Sequence, residues 1–186
     1  MSDTSEASGT PEEKIRTYEY AEGLEMFYNG EVLGEAVYSA LINATTDLPT
    51  QLKLSYLLQL ETETKAWLRQ HLLAVGMNIV EPDYIRTMGA SLAATMNHLT
   101  WLEGMQAIYN IATVDLLPHY RRYAEEARLR GRLDEAAVCD YMAEHEEAQA
   151  EFARRELQGE RFEYAVEPLT RLSKYPLNAV TPATLR

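Results

Sequence analysis

Four long segments of the chain carry apolar residues at helical spacing, and no segment alternates as a β-strand does. The segments cover residues 17–44, 50–75, 84–130 and 133–157. Glycine and proline residues mark the connections between them. An amphipathic helix must bury its apolar face against a neighbour, and short connections place successive helices antiparallel. The sequence therefore predicts an all-α fold, with an antiparallel four-helix bundle over residues 15–158.

The third segment is long enough for two helices, and Pro118 lies inside it. A proline in a helix interior removes a backbone hydrogen bond and clashes with the preceding turn. We therefore expect a third helix that is long and kinked or broken near Pro118.

The two ends of the chain differ from the helical segments. Residues 1–14 are polar and acidic and contain no apolar run, which predicts a disordered tail. Residues 159–186 contain Pro168, Pro176 and Pro182 and show little periodicity. We expect this second tail to be irregular and to pack on the bundle or on a partner subunit.

Composition restricts the partners and the compartment. The net charge is −12, from 17 basic and 29 acidic residues, and binding to nucleic acid or to an anionic membrane requires a basic surface. No apolar run approaches the roughly 20 residues that a membrane span needs. The single cysteine excludes an intramolecular disulfide and fits a reducing compartment. These features predict a cytoplasmic protein that binds neither nucleic acid nor membrane.

Carboxylates interrupt the apolar stripes of the first two predicted helices. Glu31 lies in an apolar stripe between Phe27 and Tyr38, and Glu61 lies in one between Leu57 and Leu68. Glu35 follows Glu31 by one turn. Counting from the connection between the helices places Glu31 and Glu61 at similar heights. A buried carboxylate costs several kcal/mol unless it is paired, protonated or bound to a cation. We expect a polar site there, and a buried acid network with Lys65, Tyr38 or a water is the simpler alternative.

The fourth helix contains the sequence YMAEHEEAQAEF, residues 141–152. Its predicted apolar stripe passes through Ala148 and Phe152, with Glu144 and His145 on opposite flanks of the stripe. We place both flanking residues in the site. The alternative is a helix flank that is half exposed and has no role in binding.

Two stretches carry a resemblance to a known family. NGEVLGEAVYSAL resembles the first helix of rubrerythrin-type proteins of the ferritin-like superfamily, and DLLPHYRRYAEEARLRGRLDEAAVCDYMAEHEEAQAEF resembles the end of their third helix and their fourth helix. The resemblance covers roughly residues 20–157. It implies a four-helix bundle with a di-iron or di-manganese site. The ligand pattern of the family is Glu, Glu-x-x-His, Glu and Glu-x-x-His on the four successive helices.

The first half of this ligand pattern matches in part. Glu31 matches the first Glu and Glu61 the second, whereas Thr64 stands where the first His is expected. Asp115 can stand for the third-helix Glu only if distortion near Pro118 turns it inward.

On the fourth helix two registers are open. In one register Glu144 matches the Glu, and Glu147 takes the place of the His. In the other, His145 points inward and Ala148 takes that place. Each register lacks a histidine, so the resemblance implies a site that is rich in carboxylates and poor in histidine.

Three functions follow from these residues. The first is a metal-dependent oxidase or oxygenase that acts on a small organic substrate and contains iron or manganese. Its predicted catalytic residues are Glu35 and Tyr38, and its predicted metal ligands are Glu31, Glu61, Glu144 and His145. Oxygen ligands of this kind suit iron or manganese. The predicted assembly is a homodimer.

The second function is an enzyme without a metal on the same scaffold. Glu31 and Glu35, close to Glu61, would share protons, because neighbouring carboxylates raise each other's pKa. Such a pair can catalyse an isomerisation, a cyclisation or a dehydration, with Tyr38 or Tyr120 orienting the substrate. The third is a non-catalytic binding bundle, because a fold alone does not determine a function.

Overall fold

Three of the connections between helices coincide with the turn residues that the sequence shows. The computed structural model describes the backbone of residues 11–174 and the side chains of residues 19–174. Within that part the chain is all-α and contains no strand, which confirms the predicted fold class. The helices are α1 (Pro11–Ala44), α2 (Leu48–Ala74), α3 (Asp83–Met96), α4 (Trp101–Asn110), a π-helical segment (Ile111–Leu116), α5 (Leu117–Leu129), α6 (Leu133–Leu157), α7 (Phe162–Ala165) and α8 (Glu167–Leu172).

Specific side chains and glycines set these boundaries. The carboxylate of Asp47 accepts a hydrogen bond of 3.0 Å from the backbone N–H of Thr50 and caps α2. Gly76 and Gly131 follow α2 and α5 with φ of 76° and 72°, a left-handed conformation that glycine adopts without steric cost. The three predicted connections are therefore found where the sequence places them.

The third segment is interrupted at residues 97–100 rather than at Pro118. Thr100 caps α4 there, in a reciprocal arrangement with Glu103. Helical backbone runs through Pro118, because this proline lies in the first turn of α5 and the preceding residues form the wider π-helix. In that turn the N–H of Leu117 donates to the carbonyl of Ala112, five residues back.

The C-terminal region contains helices up to Leu172, two residues before the last described residue, Lys174. The predicted irregular tail instead contains α7 and α8, which pack on α6, and α8 also reaches α2. Ala165 and Leu169 are fully buried in this contact. Residues 175–186 and residues 1–10 of the predicted acidic tail lie outside the described part of the chain, and residues 11–14 of that tail belong to α1.

Two apolar clusters lie on either side of a polar layer. One cluster, near the connection between α1 and α2, includes Val37, Leu57 and Phe152. The other includes Leu24, Leu68 and Met142. Between them α1, α2 and α6 contribute buried polar side chains, namely Glu31, Glu35, Glu61, Thr64, Lys65, His145, Glu146 and Gln149. Within the described residues, none of the helices combines the length and the apolar character needed to cross a membrane.

A glycine allows α3 to approach α1 closely. A Cβ atom on Gly89 would lie 2.6 Å from the Cβ of Ala36 and 2.8 Å from the carbonyl oxygen of Leu33. Backbone and a short side chain cannot move aside as the end of a long side chain can. The position of α3, which lines the functional site described below, therefore depends on this glycine.

We predict that Gly89→Ala destabilises the protein by about 1–3 kcal/mol, the usual cost of overpacking. Gly104→Ala is the matched control, because a Cβ there meets nothing within 4 Å, and alanine favours a helix by up to about 1 kcal/mol over glycine. Urea unfolding of both variants measures the difference. Equal stabilisation by the two substitutions would show that α3 does not pack against α1 in this way.

Candidate metal centre

Three buried side chains from three helices meet in the polar layer. One oxygen each of Glu31 and Glu61 and one nitrogen of His145 all lie within 4.8 Å of one another. Nε2 of His145 is 3.8 Å from Oε2 of Glu31 and 3.5 Å from Oε1 of Glu61. The three residues are 3%, 4% and 1% exposed. The structure thus brings together three of the four predicted ligands in a group that can hold a metal ion.

The packing of α1 on α2 makes this meeting possible. The two helices form a pair joined by a short turn, so that Glu31 and Glu61 face each other as their distances from the turn predicted. A Cβ atom on Gly34 would overlap the carboxyl group of Glu61. Glycine at this position of α1 therefore leaves the space that the Glu61 carboxylate occupies.

Hydrogen bonds fix the orientation of the His145 ring. Nδ1 of His145 lies 2.9 Å from the hydroxyl of Thr64. The Nε2 amide nitrogen of Gln149 donates to Oε1 of Glu61 at 2.8 Å and lies 2.6 Å from Nε2 of His145. The hydroxyl of Tyr38 donates to the amide oxygen of Gln149 at 2.7 Å. In the neutral ring, Nε2 accepts the hydrogen bond from the Gln149 amide, so Nδ1 carries the proton and donates to the hydroxyl of Thr64.

Glu146 adds a third carboxylate to the polar layer. It is 5% exposed, and within the described residues its carboxylate has neither a hydrogen bond nor an ion pair. Burial raises the pKa of Glu146 to about 7, with His145 lowering it and Glu61 raising it. At neutral pH this carboxyl group can both hold and release a proton.

Glu31 and His145 are also shifted from their ordinary pKa values. Burial, followed by the charges of Glu61 and Glu146, raises the pKa of Glu31 well above its usual range. Oε2 of Glu31 is buried and has no hydrogen-bond partner. For His145, burial is the largest influence and lowers the pKa, but the hydrogen bond and charge of Glu61 and the charge of Glu146 together raise it. The three carboxylates thus lie in a region where their negative charges are poorly compensated.

Glu144 and Glu147, considered for the site from sequence, lie on the outer side of α6. Both are exposed, and Glu147 pairs with Arg121. Because successive residues of a helix are about 100° apart, the inward direction of His145 and Glu146 turns Glu144 and Glu147 outward. Asp115, in the π-helical segment, is exposed as well.

The sequence reasoning missed Glu146 and Gln149. The available signal was a buried stripe on α6 in which Met142, Glu146, Gln149 and Ala153 follow at spacings of four, three and four residues. This stripe and the parallel one through His145 and Phe152 face the core together.

The two predicted catalytic residues occupy different surroundings. Glu35 is buried and forms an ion pair with Lys65, which also lies 3.1 Å from Glu81. Lys65 thus compensates the charge of Glu35, which lies one helical turn from Glu31. Tyr38 is buried beside the group and holds Gln149. Their catalytic roles stay predictions.

A cavity of about 260 Å³ adjoins the group. One end is formed by Glu31, Glu61 and Glu146 together with Tyr38, Tyr120 and Gln149. The apolar wall comes mainly from α3, α4 and the π-helical segment, with Leu92, Met96, Ile108, Ile111, Ala112 and Leu116. Of these, Leu92 and Ile111 are 39% and 42% exposed, so the apolar wall extends to the protein surface.

Comparisons of the chain with protein-family models, with curated proteins and with solved structures give no match. The functional proposal below therefore rests on the geometry and charge of the site.

The pKa of Glu146 predicts how stability depends on pH in chelator-treated protein. Its folded pKa of about 7 lies above the ordinary value of 4.5, so between these two values the folded state binds more protons than the unfolded state. The free energy of unfolding should fall as pH rises through this window, by up to about 3 kcal/mol from this group.

Glu146→Gln should remove that part of the pH dependence, whereas Glu144→Gln, an exposed control on the same helix, should retain it. Chemical unfolding at several pH values measures both variants against the unmodified chain. If the curves of Glu146→Gln and the unmodified chain coincide, the carboxyl group of Glu146 titrates normally and the burial argument is wrong.

Proposed function

We propose that this protein is a metal-dependent oxidase or oxygenase that binds an iron or manganese ion at Glu31, Glu61 and His145. Its substrate is a small organic molecule that occupies the adjoining cavity. The observation that carries the proposal is the convergence of three buried ligand atoms, from three helices, within 4.8 Å of one another. A cavity of about 260 Å³ beside them gives a substrate access to the ion.

The balance of charge supports a bound cation. Three carboxylates lie together in the buried polar layer, and among the described residues beside them His145 is the group that can become positive. Lys65, the nearest buried amine in the described part of the chain, is already paired with Glu35 and Glu81. Uncompensated buried charges are costly. A divalent ion would compensate two of the three negative charges and supply a partner for Oε2 of Glu31.

The donor atoms favour iron or manganese. Carboxylate oxygens suit both ions, and an imidazole nitrogen disfavours magnesium and calcium, which prefer oxygen. Three protein ligands leave coordination positions open for substrate or dioxygen. When bound, such an ion supplies one-electron chemistry and the activation of dioxygen.

Gln149 and Tyr38 have a positioning role in this proposal. The Gln149 amide nitrogen bonds to the same atoms of Glu61 and His145 that would bind the ion. The amide must therefore turn away when an ion binds. Because Tyr38 holds the amide oxygen, this tyrosine influences how readily the ligands become available.

A ferritin-like four-helix bundle remains our proposal for the fold, with α3 to α5 together as its third helix. The site between α1, α2 and α6, at mid-height, supports it. The ligand set departs from the family pattern, because Thr64 and Gln149 stand three residues after Glu61 and Glu146, where histidines are expected. No carboxylate of α3 to α5 lines the cavity in the described part of the chain. We therefore propose one ion per chain rather than the pair that the resemblance implies.

Metal content tests this proposal directly. Protein purified without chelator should contain about one iron or manganese per chain by elemental analysis, and chelator-treated protein should take up ferrous iron without oxygen. Glu31→Gln and Glu61→Gln each replace one charged ligand with a neutral amide, so we expect each to lower the affinity by at least about tenfold. Glu144→Gln, which removes an exposed charge, should leave the affinity unchanged.

Equal metal content in all three variants would mean that the metal is bound elsewhere and would contradict the proposal. Loss in Glu144→Gln alone would do the same. Circular dichroism of each variant separates the loss of a ligand from the loss of the fold.

A metal-free acid–base enzyme is the second candidate. The carboxyl groups of Glu31 and Glu146 have raised pKa values and face one cavity, so that one can donate a proton while the other accepts one. Glu35, which was the expected partner of Glu31, is instead paired with Lys65. Absence of metal uptake together with turnover of a substrate in the cavity would favour this candidate.

The homodimer stays a prediction.

A further inference from the structure

One carboxylate of the site has no assigned partner once an ion is bound. A divalent ion at Glu31, Glu61 and His145 balances the charges of the two ligand carboxylates and leaves that of Glu146. This residue is 5% exposed, lines the cavity, and is without a hydrogen-bond or ion-pair partner in the part of the chain described by the structure. A buried carboxylate aimed into a cavity is a site for a positively charged ligand.

The other residues that line the cavity indicate which chemical group the rest of the ligand carries. No lysine or arginine lines the cavity within the described residues, and apart from the polar residues named above the lining consists of glycines, aliphatic side chains and Met96. A hydrocarbon group is stabilised there by leaving water. An anionic ligand would meet the negative charge of Glu146 without a basic side chain in the lining to compensate it and is therefore disfavoured.

We propose that the substrates of this site are small aliphatic amines, bound as ammonium ions. The nitrogen lies at Glu146 and the hydrocarbon chain lies against the wall formed by α3, α4 and the π-helical segment. This inference rests on the proposed function and names its substrate class. The ammonium group donates charge-assisted hydrogen bonds to the carboxylate, which are stronger than those of a neutral hydroxyl.

The size and the opening of the cavity agree with this ligand. A cavity of about 150 Å³ can hold benzene, so the 260 Å³ here accommodates an amine with a chain of several carbons. The partly exposed side chains of Leu92 and Ile111 form an apolar opening. A hydrocarbon tail can enter there while the charged end reaches the acidic end of the cavity.

Calorimetric binding of three ligands of equal length tests the inference. We would titrate metal-loaded protein with hexylamine, hexan-1-ol and hexanoate at neutral pH. Hexylamine should bind at least about tenfold more tightly than hexan-1-ol, because it adds a charge-assisted hydrogen bond, and hexanoate should bind more weakly than hexylamine, because Glu146 repels its carboxylate. Equal affinity of the amine and the alcohol, or tighter binding of hexanoate, would overturn the inference.

Glu146→Gln isolates the carboxylate from the metal. This variant should lose the preference for hexylamine over hexan-1-ol and keep its metal content, while Glu144→Gln should keep both. A preference that persists in Glu146→Gln would place the amine nitrogen on the metal and overturn the inference. Loss of metal in Glu146→Gln would make this residue a metal ligand, which also overturns it.

The two proposals fail separately in this design. Elemental analysis tests the metal centre, and ligand affinity tests the amine site. If the chain binds no metal, the same three ligands are titrated into metal-free protein: a preference for the amine that is lost in Glu146→Gln supports the inference, and equal affinities, or a preference that Glu146→Gln keeps, overturn it. If Glu146→Gln does not fold, the ligand series with the unmodified chain decides alone.

Discussion

The burial of uncompensated carboxylates is the interaction on which the rest of this structure depends. Glu31, Glu61 and Glu146 are removed from water by three helices, at a cost that the apolar clusters on either side must offset. Glu35 lies in the same layer but is paired with Lys65. The contrast within one layer is informative, because Glu35 has a basic partner, whereas among the described residues neither lysine nor arginine lines the cavity beside the other three carboxylates.

Close helix packing keeps this layer in place. Gly34 leaves room for the carboxyl group of Glu61, and Gly89 lets α3 approach α1. α3 then contributes part of the apolar wall that faces the acids. Thr64, Tyr38 and Gln149 complete the arrangement through hydrogen bonds that orient the ring of His145. The same contacts that stabilise the fold therefore position the candidate ligands and shape the space beside them.

The helices and the buried positions of Glu31 and Glu61 could be predicted from the sequence for physical reasons. Glu31 and Glu61 each interrupt a single regular apolar stripe, so that their burial follows from helical geometry. On α6 the inner face is wider and includes two adjacent residues, His145 and Glu146, which no single stripe identifies. The single apolar stripe predicted for α6 placed Glu144 on its flank and in the site, and it did not identify Glu146.

The third helical segment also differs from its prediction because the sequence pattern carries only a weak signal there. The interruption at residues 97–100 contains neither glycine nor proline, and the capping pair of Thr100 and Glu103 that ends it is a weaker signal. The sequence predicts a kink or a break near Pro118 because proline removes a backbone hydrogen bond. The π-helical turn before it accommodates this loss, and such turns depend on packing that the sequence pattern does not reveal.

A manganese titration of chelator-treated protein tests the central claim most directly. Free Mn²⁺ is followed by its electron paramagnetic resonance signal, and the free energy of unfolding is measured in parallel. The account predicts uptake of one Mn²⁺ per chain, a free energy of unfolding that rises with the logarithm of free Mn²⁺ above the dissociation constant, and little competition from Mg²⁺, because a nitrogen ligand disfavours it. If the protein takes up no Mn²⁺ and its stability does not change, the buried acids do not form a metal centre.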